Sequence, residues 1–347
     1  MRRTKNRRQT GIMRQNPNIL VIGAGAVGGI VAGMLKQKGH DVTLVAKNVN
    51  AAKKISEQGI ELIGFCGNIT EKIPTVTRVT DIKKMPDIVL IATKAGDMPQ
   101  AAKDIAPMLH EQSLVVSLQN GIVEEELATI VGKARTVGCV VGWGATLHSS
   151  TKMEMTSKGE FFIGFLDKAK DESLQQLASI LSNILPVEIS DNILYYLYSK
   201  VIINSCISTV GAICGLTLGK MLNQKAYRNV FLAVIDEALN VADAMAWEIP
   251  NYAGRLNYYS LHDRTKLRQH LYLRAFGFKY RRLKSSTLQS LERGKKTEVD
   301  YFNGFIVKKG RAYRTPTPVN EALIRIVHEI EKGTRVVSED NILEVWS

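Results

Sequence analysis

Several features that would assign a class at once are missing from this 347-residue sequence. Its four cysteines, Cys66, Cys139, Cys206 and Cys214, form no CxxC pair and no metal-ligand spacing. They read as buried thiols of a reducing compartment, not as a disulfide framework or a metal site. No apolar run reads as long enough to cross a bilayer, so no membrane partner is expected. The first fourteen residues contain no acid and no apolar core of a signal peptide, only Arg2, Arg3, Lys5, Arg7, Arg8 and Arg14 among polar neighbours. Residues 1–17 are therefore expected to be a basic, disordered arm, and the chain is expected in the cytoplasm. The net charge of +13 comes without zinc-finger spacing or an aromatic RNA-binding signature, and six of the cations sit in that arm, so nucleic acid is not an expected partner. A cofactor with several phosphates and an anionic substrate would both profit from the positive field.

The sequence does supply enough apolar material for two cores, with 45% hydrophobic residues over a length that suits two ordinary domains. NILVI (18–22) is the short apolar run of a buried parallel strand. GAGAVGG follows it, then a helical stretch through Lys38 that stops at Gly39. DVTLVAK (41–47), DIVLIAT (87–93) and SLVVSLQN (113–120) repeat the format, with helical patterns starting near Pro99 and Val123. Strands alternating with helices predict βαβ units and a mostly parallel sheet. TVGCVVG, TKMEMTS and GEFFIGF add further strands. Beyond about residue 168 the pattern turns helical, with long apolar helices at 192–212 and 227–247. Helices near 285–294 and 297–312 follow, and Pro318 opens the last one. The basic stretch 251–284 resists assignment. The expected fold is an α/β Rossmann-type N-terminal domain over 18–168 and an all-α C-terminal domain over 169–347, divided between Phe165 and Asp171.

Gly23-Ala24-Gly25-Ala26-Val27-Gly28 matches GxGxxG between a buried strand and a helix. The first glycine permits the tight turn, the second lets a pyrophosphate approach, and the third lets helix and strand pack closely. Lys47 ends the second strand where an NAD-specific protein places an acid, which suits the 2′-phosphate of NADP, and Asn48 beside it could add a hydrogen bond. Lys200, Asn204 and Ser208 recur at i, i+4 and i+8 on an otherwise apolar helix and share one face. A lysine there needs a cleft, a partner or a shifted pKa, unless it snorkels to solvent. Glu298 and Asp300 open a helical pattern, where capping is the plainest role for an acid.

The segments VIGAGAVGG, IATKAGD with SLQNG, YSKVIINSCIS and SSTLQSLERGKKTEVDYFNGF together resemble the ketopantoate reductase (2-dehydropantoate 2-reductase) family, from Asn18 to about Lys332. The resemblance implies that Gly23 to Gly28 hold the pyrophosphate and that Lys47 meets the 2′-phosphate. It implies cofactor contacts for Lys94, Asn120 and Ala145. Lys200 takes the catalytic place, Asn204 orients the substrate, Ser286 contacts its carboxylate, and Glu298 serves both cofactor and reacting centre. Where well-known members carry three further substrate-side asparagines, this chain has Ser208, Leu218 and Leu283. The implied activity is NADPH-dependent reduction of a 2-keto acid, 2-dehydropantoate to pantoate, in coenzyme A biosynthesis. No metal is implied, and the oligomeric state is open to a homodimer. The alternatives are a paralogue acting on another 2-keto acid or in the opine direction, a non-catalytic NADP sensor, and a nucleic-acid-binding protein using the basic arm.

Overall fold

The computed structural model describes residues 14–251 and 256–346. Most of the expected basic arm lies outside these residues, as do four positions of the unassigned basic stretch. Contacts divide the chain into two compact units: residues up to Gln119 together with Val123–Leu194, and Asn120–Ile122 together with Tyr195–Ser347.

The first unit is an α/β domain of β1 (Asn18–Ile22), α1 (Ala26–Gln37), β2 (Asp41–Val45), α2 (Val49–Gln58), β3 (Ile60–Gly64), β4 (Ile69–Glu71), β5 (Thr75–Val76), β6 (Ile88–Ile91), α3 (Met98–Ile105), β7 (Leu114–Ser117), α4 (Glu124–Val131), β8 (Thr136–Val141), β9 (Ala145–Ser149), β10 (Lys152–Met155), β11 (Phe161–Phe165), α5 (Glu172–Leu181) and β12 (Val187–Ile189). Its main sheet runs in the order β12-β11-β8-β7-β6-β1-β2-β5. Every neighbouring pair is parallel except β8 with β11. β6 and β7 are buried at every position, as strands covered by helices on both faces must be. A second sheet, β4-β3-β10-β9, was not legible in the sequence beyond β10. It packs on α1: a Cβ at Gly29 or Gly33 would meet Met153 or Leu62. α5 and β12 lie past the expected division between Phe165 and Asp171, yet β12 extends the main sheet.

The second unit holds α6 (Ile193–Cys214), α7 (Leu218–Asn223), α8 (Lys225–Ala244), α9 (Tyr258–His262), α10 (Lys266–Lys279), α11 (Ser286–Glu292), α12 (Asn303–Ala312) and α13 (Pro318–Glu331), with 3-10 turns at Val299–Tyr301 and Glu339–Trp346. α9 and α10 give structure to the unassigned basic stretch. α6 corrects one expectation: by length and composition it could cross a bilayer, although its apolar window is 89% buried inside the protein. The helix expected over 192–212 thus runs two residues further, to Cys214.

α13 shows how the helices are locked together. Pro318 at its first turn has no N–H to satisfy, but Val319 and Asn320 do. Both donate to the buried Glu237 of α8, at 2.8 and 3.0 Å, and Asn320 Nδ2 adds a third bond at 2.6 Å. Asn320 Oδ1 accepts from Asn303 Nδ2 at 2.8 Å, and Asn303 Oδ1 accepts the Thr209 hydroxyl of α6. Burial pushes the Glu237 carboxyl above its ordinary range, while the three N–H bonds oppose that rise. Glu237→Gln keeps the shape but turns an NH2 toward an N–H donor. It should destabilise the protein by about 2 kcal/mol in urea unfolding, and an unchanged midpoint would show that the network is dispensable.

Candidate active site

The glycine loop is built as a dinucleotide cradle requires. Gly23 has φ +113°, and a Cβ on it would lie 2.9 Å from the Ala92 backbone. A Cβ on Gly28 would collide with the Gly23 carbonyl, so α1 can sit this close to β1 only with glycine there. A Cβ on Gly25 meets nothing within 4 Å. Open space in front of that backbone is what a pyrophosphate needs. α1 begins at Ala26, has no side-chain cap and no acid in its first turn, and so presents backbone donors and a positive dipole end. Ala24 and Val27 are half-buried against the core. These residues fit a dinucleotide.

Lys47 follows β2 as an exposed side chain, 3.9 Å from the carboxylate of Asp97. Asn48 has a different task from the one first considered. Its Oδ1 accepts the Ala51 N–H at 2.9 Å and caps α2, a local bond that holds the chain just after Lys47. Lys94 is exposed beyond the end of β6, where it precedes the turn Ala95–Asp97. Ala145 opens β9 in the second sheet, half-buried.

At the ends of β6 and β7 lies a buried polar chain that the sequence reading missed. Ser117, at the end of β7, donates to Gln119 Oε1 at 2.6 Å, and Gln119 Nε2 reaches Thr93 Oγ1 at 3.4 Å. The Ser117 hydroxyl also interacts with Glu124, whose Oε2 accepts the Val123 N–H at 2.9 Å. Glu124 is fully buried, and burial pushes its carboxyl up to about 7 against the opposing hydrogen bonds. Glu124, Glu125 and Glu126 read as three equivalent acids at a helix start; only packing distinguishes the first.

In the helical unit the stripe on α6 is real. Lys200 is 8% exposed, Ser208 5%, and Asn204 is half-buried between them. A lysine so covered is not one that snorkels to solvent. Tyr198 and Tyr258 fix this part of α6: Tyr198 donates to the Ala238 carbonyl at 2.9 Å, and Tyr258 to the Ser199 carbonyl at 2.7 Å. Ser208 Oγ is 3.5 Å from Ser286 Oγ at the start of α11, where Ser285 caps by accepting the Leu288 N–H. Leu218 and Leu283 adjoin this region, the Leu218 N–H donating to the Leu283 carbonyl at 2.9 Å. Leu218 is wholly buried, whereas Leu283 is 44% exposed.

Glu298 is buried and precedes the 3-10 turn Val299–Tyr301, but its side chain does not cap that turn. The plain capping role is thus absent. Asn120 belongs to the same unit through its neighbour Gly121, which has φ +93° and whose Cβ would lie 2.7 Å from that of Tyr301. No side chain larger than glycine's fits that close approach, so the Asn-Gly pair is held against the turn that Glu298 precedes.

Two family models cover most of the chain: ketopantoate reductase PanE/ApbA over residues 19–168, and its C-terminal counterpart over residues 192–331. The chain belongs to the ketopantoate reductase family. Ketopantoate reductases are oxidoreductases, and so is this protein. It is 30% identical over 311 residues to a 2-dehydropantoate 2-reductase of Pyrococcus abyssi, covering 87% of this chain and 94% of that one. A crystal structure of a PanE/ApbA family ketopantoate reductase from Ralstonia eutropha superposes with TM-score 0.78 at 28% identity, covering 91% of this chain and 99% of the other. D-mandelate dehydrogenase in a ternary structure with NADH and anilino(oxo)acetate shares the fold, with TM-score 0.78 at 23% identity over 91% and 99% of the two chains.

Glu124 makes a pH-dependent prediction. Its folded pKa is raised above the unfolded value near 4.5, so the stability linked to its proton is full below that value and is lost as pH rises toward about 7. Glu124→Gln removes the titration. The variant should gain about 2 kcal/mol relative to wild type between pH 5.5 and pH 8.5. Paired thermal melts at the two pH values would disprove this if the offset between the proteins stayed constant.

Proposed function

We propose that this family member reduces a 2-keto acid to the 2-hydroxy acid with NADPH, and that 2-dehydropantoate is its substrate, giving pantoate in the cytoplasm. The observation that carries the reading is the burial of Lys200 in line with Asn204 and Ser208 on an otherwise apolar helix. Gly23, Ala24, Gly25, Ala26, Val27 and Gly28 hold the pyrophosphate on the α1 N-terminus, and Lys47 meets the 2′-phosphate. Lys94, Asn120 and Ala145 contact the cofactor nearer its reacting end, and Glu298 orients the cofactor and substrate. When bound, NADPH supplies the hydride to the keto carbon. The Lys200 ammonium hydrogen-bonds the keto oxygen and gives the developing alkoxide its proton, which solvent then replaces. Asn204, Ser208 and Ser286 donate hydrogen bonds that fix the substrate's carboxylate and carbonyl, and orientation of this kind sets the hydride-transfer geometry.

A different 2-keto acid is the second reading, favoured by Leu218 and Leu283 beside the serines of α11, which leave that region less polar than asparagines would. Following NADPH consumption across a panel of 2-keto acids tests both. A competing acid preferred by more than ~100-fold in kcat/KM, about 2.7 kcal/mol of transition-state binding, would replace 2-dehydropantoate as the substrate.

Two substitutions test the assignments. Lys200→Ala should lower kcat by ~10²–10⁴-fold with NADPH affinity nearly unchanged, and a folded variant keeping a third of the activity would remove Lys200 from the mechanism. NADPH should bind at least ~10-fold more tightly than NADH, about 1.4 kcal/mol, and Lys47→Asp should abolish that difference. Equal dissociation constants in the unaltered protein would contradict the role of Lys47.

A further inference from the structure

The polar chain at the ends of β6 and β7 has one hydrogen too few for its acceptors. Ser117 is wholly buried, and the single hydrogen of its hydroxyl goes to Gln119 Oε1 at 2.6 Å. Gln119, also buried, passes the direction on through Nε2 to Thr93 Oγ1 at 3.4 Å. The same Ser117 hydroxyl interacts with the Glu124 carboxyl. Glu124 has no exposure at all: its Oε2 accepts the Val123 N–H at 2.9 Å, but its Oε1 is left without a hydrogen-bond partner. One hydroxyl hydrogen therefore serves two acceptors.

Protonation decides between them. A neutral Glu124 donates its O–H to Ser117 Oγ, Ser117 keeps its bond to Gln119, and every donor from Glu124 to Thr93 points the same way. An ionised Glu124 has an unpaired oxygen away from water, a cost that the Ser117 hydrogen relieves by turning from Gln119. The Gln119 carbonyl oxygen then loses its donor. Burial favours the neutral carboxyl up to about 7, and the exposed Glu125 adds repulsion in the same direction. The other charged groups on the elements packed against α4 lie toward solvent. Lys103 and Asp104 of α3, Glu126 of α4 and Lys133 after it are exposed, and Arg135 is half-buried with Nη1 on the His110 carbonyl. Cys139 of β8 is a buried thiol.

The far end of the chain abuts the glycine loop. A Cβ on Gly23 would lie 2.9 Å from the Ala92 carbonyl and 3.0 Å from the Thr93 nitrogen. We propose that Glu124 is a positioning residue for the cofactor: its proton completes a one-way hydrogen-bond chain through Ser117 and Gln119 to Thr93, which holds the glycine loop and Gln119, the residue before Asn120, in the cofactor-binding arrangement. This rests on the reading that the loop binds NADPH. The cofactor then binds more tightly when Glu124 is neutral, and by reciprocity the bound cofactor raises the proton affinity of Glu124.

Dissociation constants at pH 6 and pH 8, read from nicotinamide fluorescence with no keto acid present, test the proposal, with circular dichroism to verify folding. NADH, which has no 2′-phosphate to titrate, should bind the wild type at least ~3-fold more weakly at pH 8, about half a pKa unit of coupling. Glu124→Gln keeps an acceptor for the Val123 N–H and turns an NH2 toward Ser117, so it copies the neutral carboxyl. It should bind at both pH values as the wild type does at pH 6. Ser117→Ala cuts the chain and should bind weakly at both, again without a step. For NADPH the ratio of wild type to Glu124→Gln should show the same step, because ionisation of the 2′-phosphate near pH 6 cancels in it. No step in the wild type, or a step that persists in Glu124→Gln, overturns the proposal and leaves the cofactor reading intact. Gly25→Leu fills the front of the loop and should abolish NADPH binding; unchanged binding there would remove the cofactor reading and the proposal with it.

Discussion

The helical unit depends on the need to bury α6 on all sides. Twenty-two residues with almost no charge cannot face water, so α8, α12 and the C-terminal turn gather around them. Once such a helix is enclosed, any polar residue on it is enclosed too. Lys200, Asn204 and Ser208 are therefore held in a setting where each hydrogen bond counts for more than it would in water. The position of the stripe along α6 is fixed from both ends, by the tyrosine bonds at one end and by the Thr209–Asn303–Asn320–Glu237 chain at the other.

The α/β unit obeys a different constraint, that of close backbone approach. β1 and α1 meet only because Gly23 and Gly28 lack side chains, and Gly25 leaves the front of the loop clear. One strand over, polar side chains replace glycine: Thr93, Ser117, Gln119 and Glu124 link the ends of β6 and β7 through buried hydrogen bonds. A carboxyl that titrates near neutrality in such a chain gives the unit a pH response which exposed acids do not provide.

Much of this was legible from pattern alone. The strands of the main sheet are short apolar runs, and the GxGxxG between a strand and a helix has few other uses. That Lys200, Asn204 and Ser208 share one helix face is also legible from spacing, because period 3.6 is a local property of a helix. Less was legible where contacts come from far along the chain. β3, β4 and β9 have weak patterns, and their sheet is joined by β3 pairing with β10 across a sequence gap of about ninety residues. The 297–312 stretch reads as one helix but is a 3-10 turn followed by α12, with Phe302 out of helical geometry between them and Gly121 packed against Tyr301.

What the sequence determined by itself was periodicity and the positions where only glycine fits, and these carried the fold class, the glycine loop and the polar stripe on α6. Tertiary structure decided which polar groups lost water. Glu124 and Glu237 are ordinary helical acids in sequence, and Asn48 and Glu298 are reasonable candidates for each other's roles. Packing made Asn48 the cap and left Glu298 buried without that task. Burial is a property of what surrounds a side chain, and those neighbours come from elsewhere in the chain.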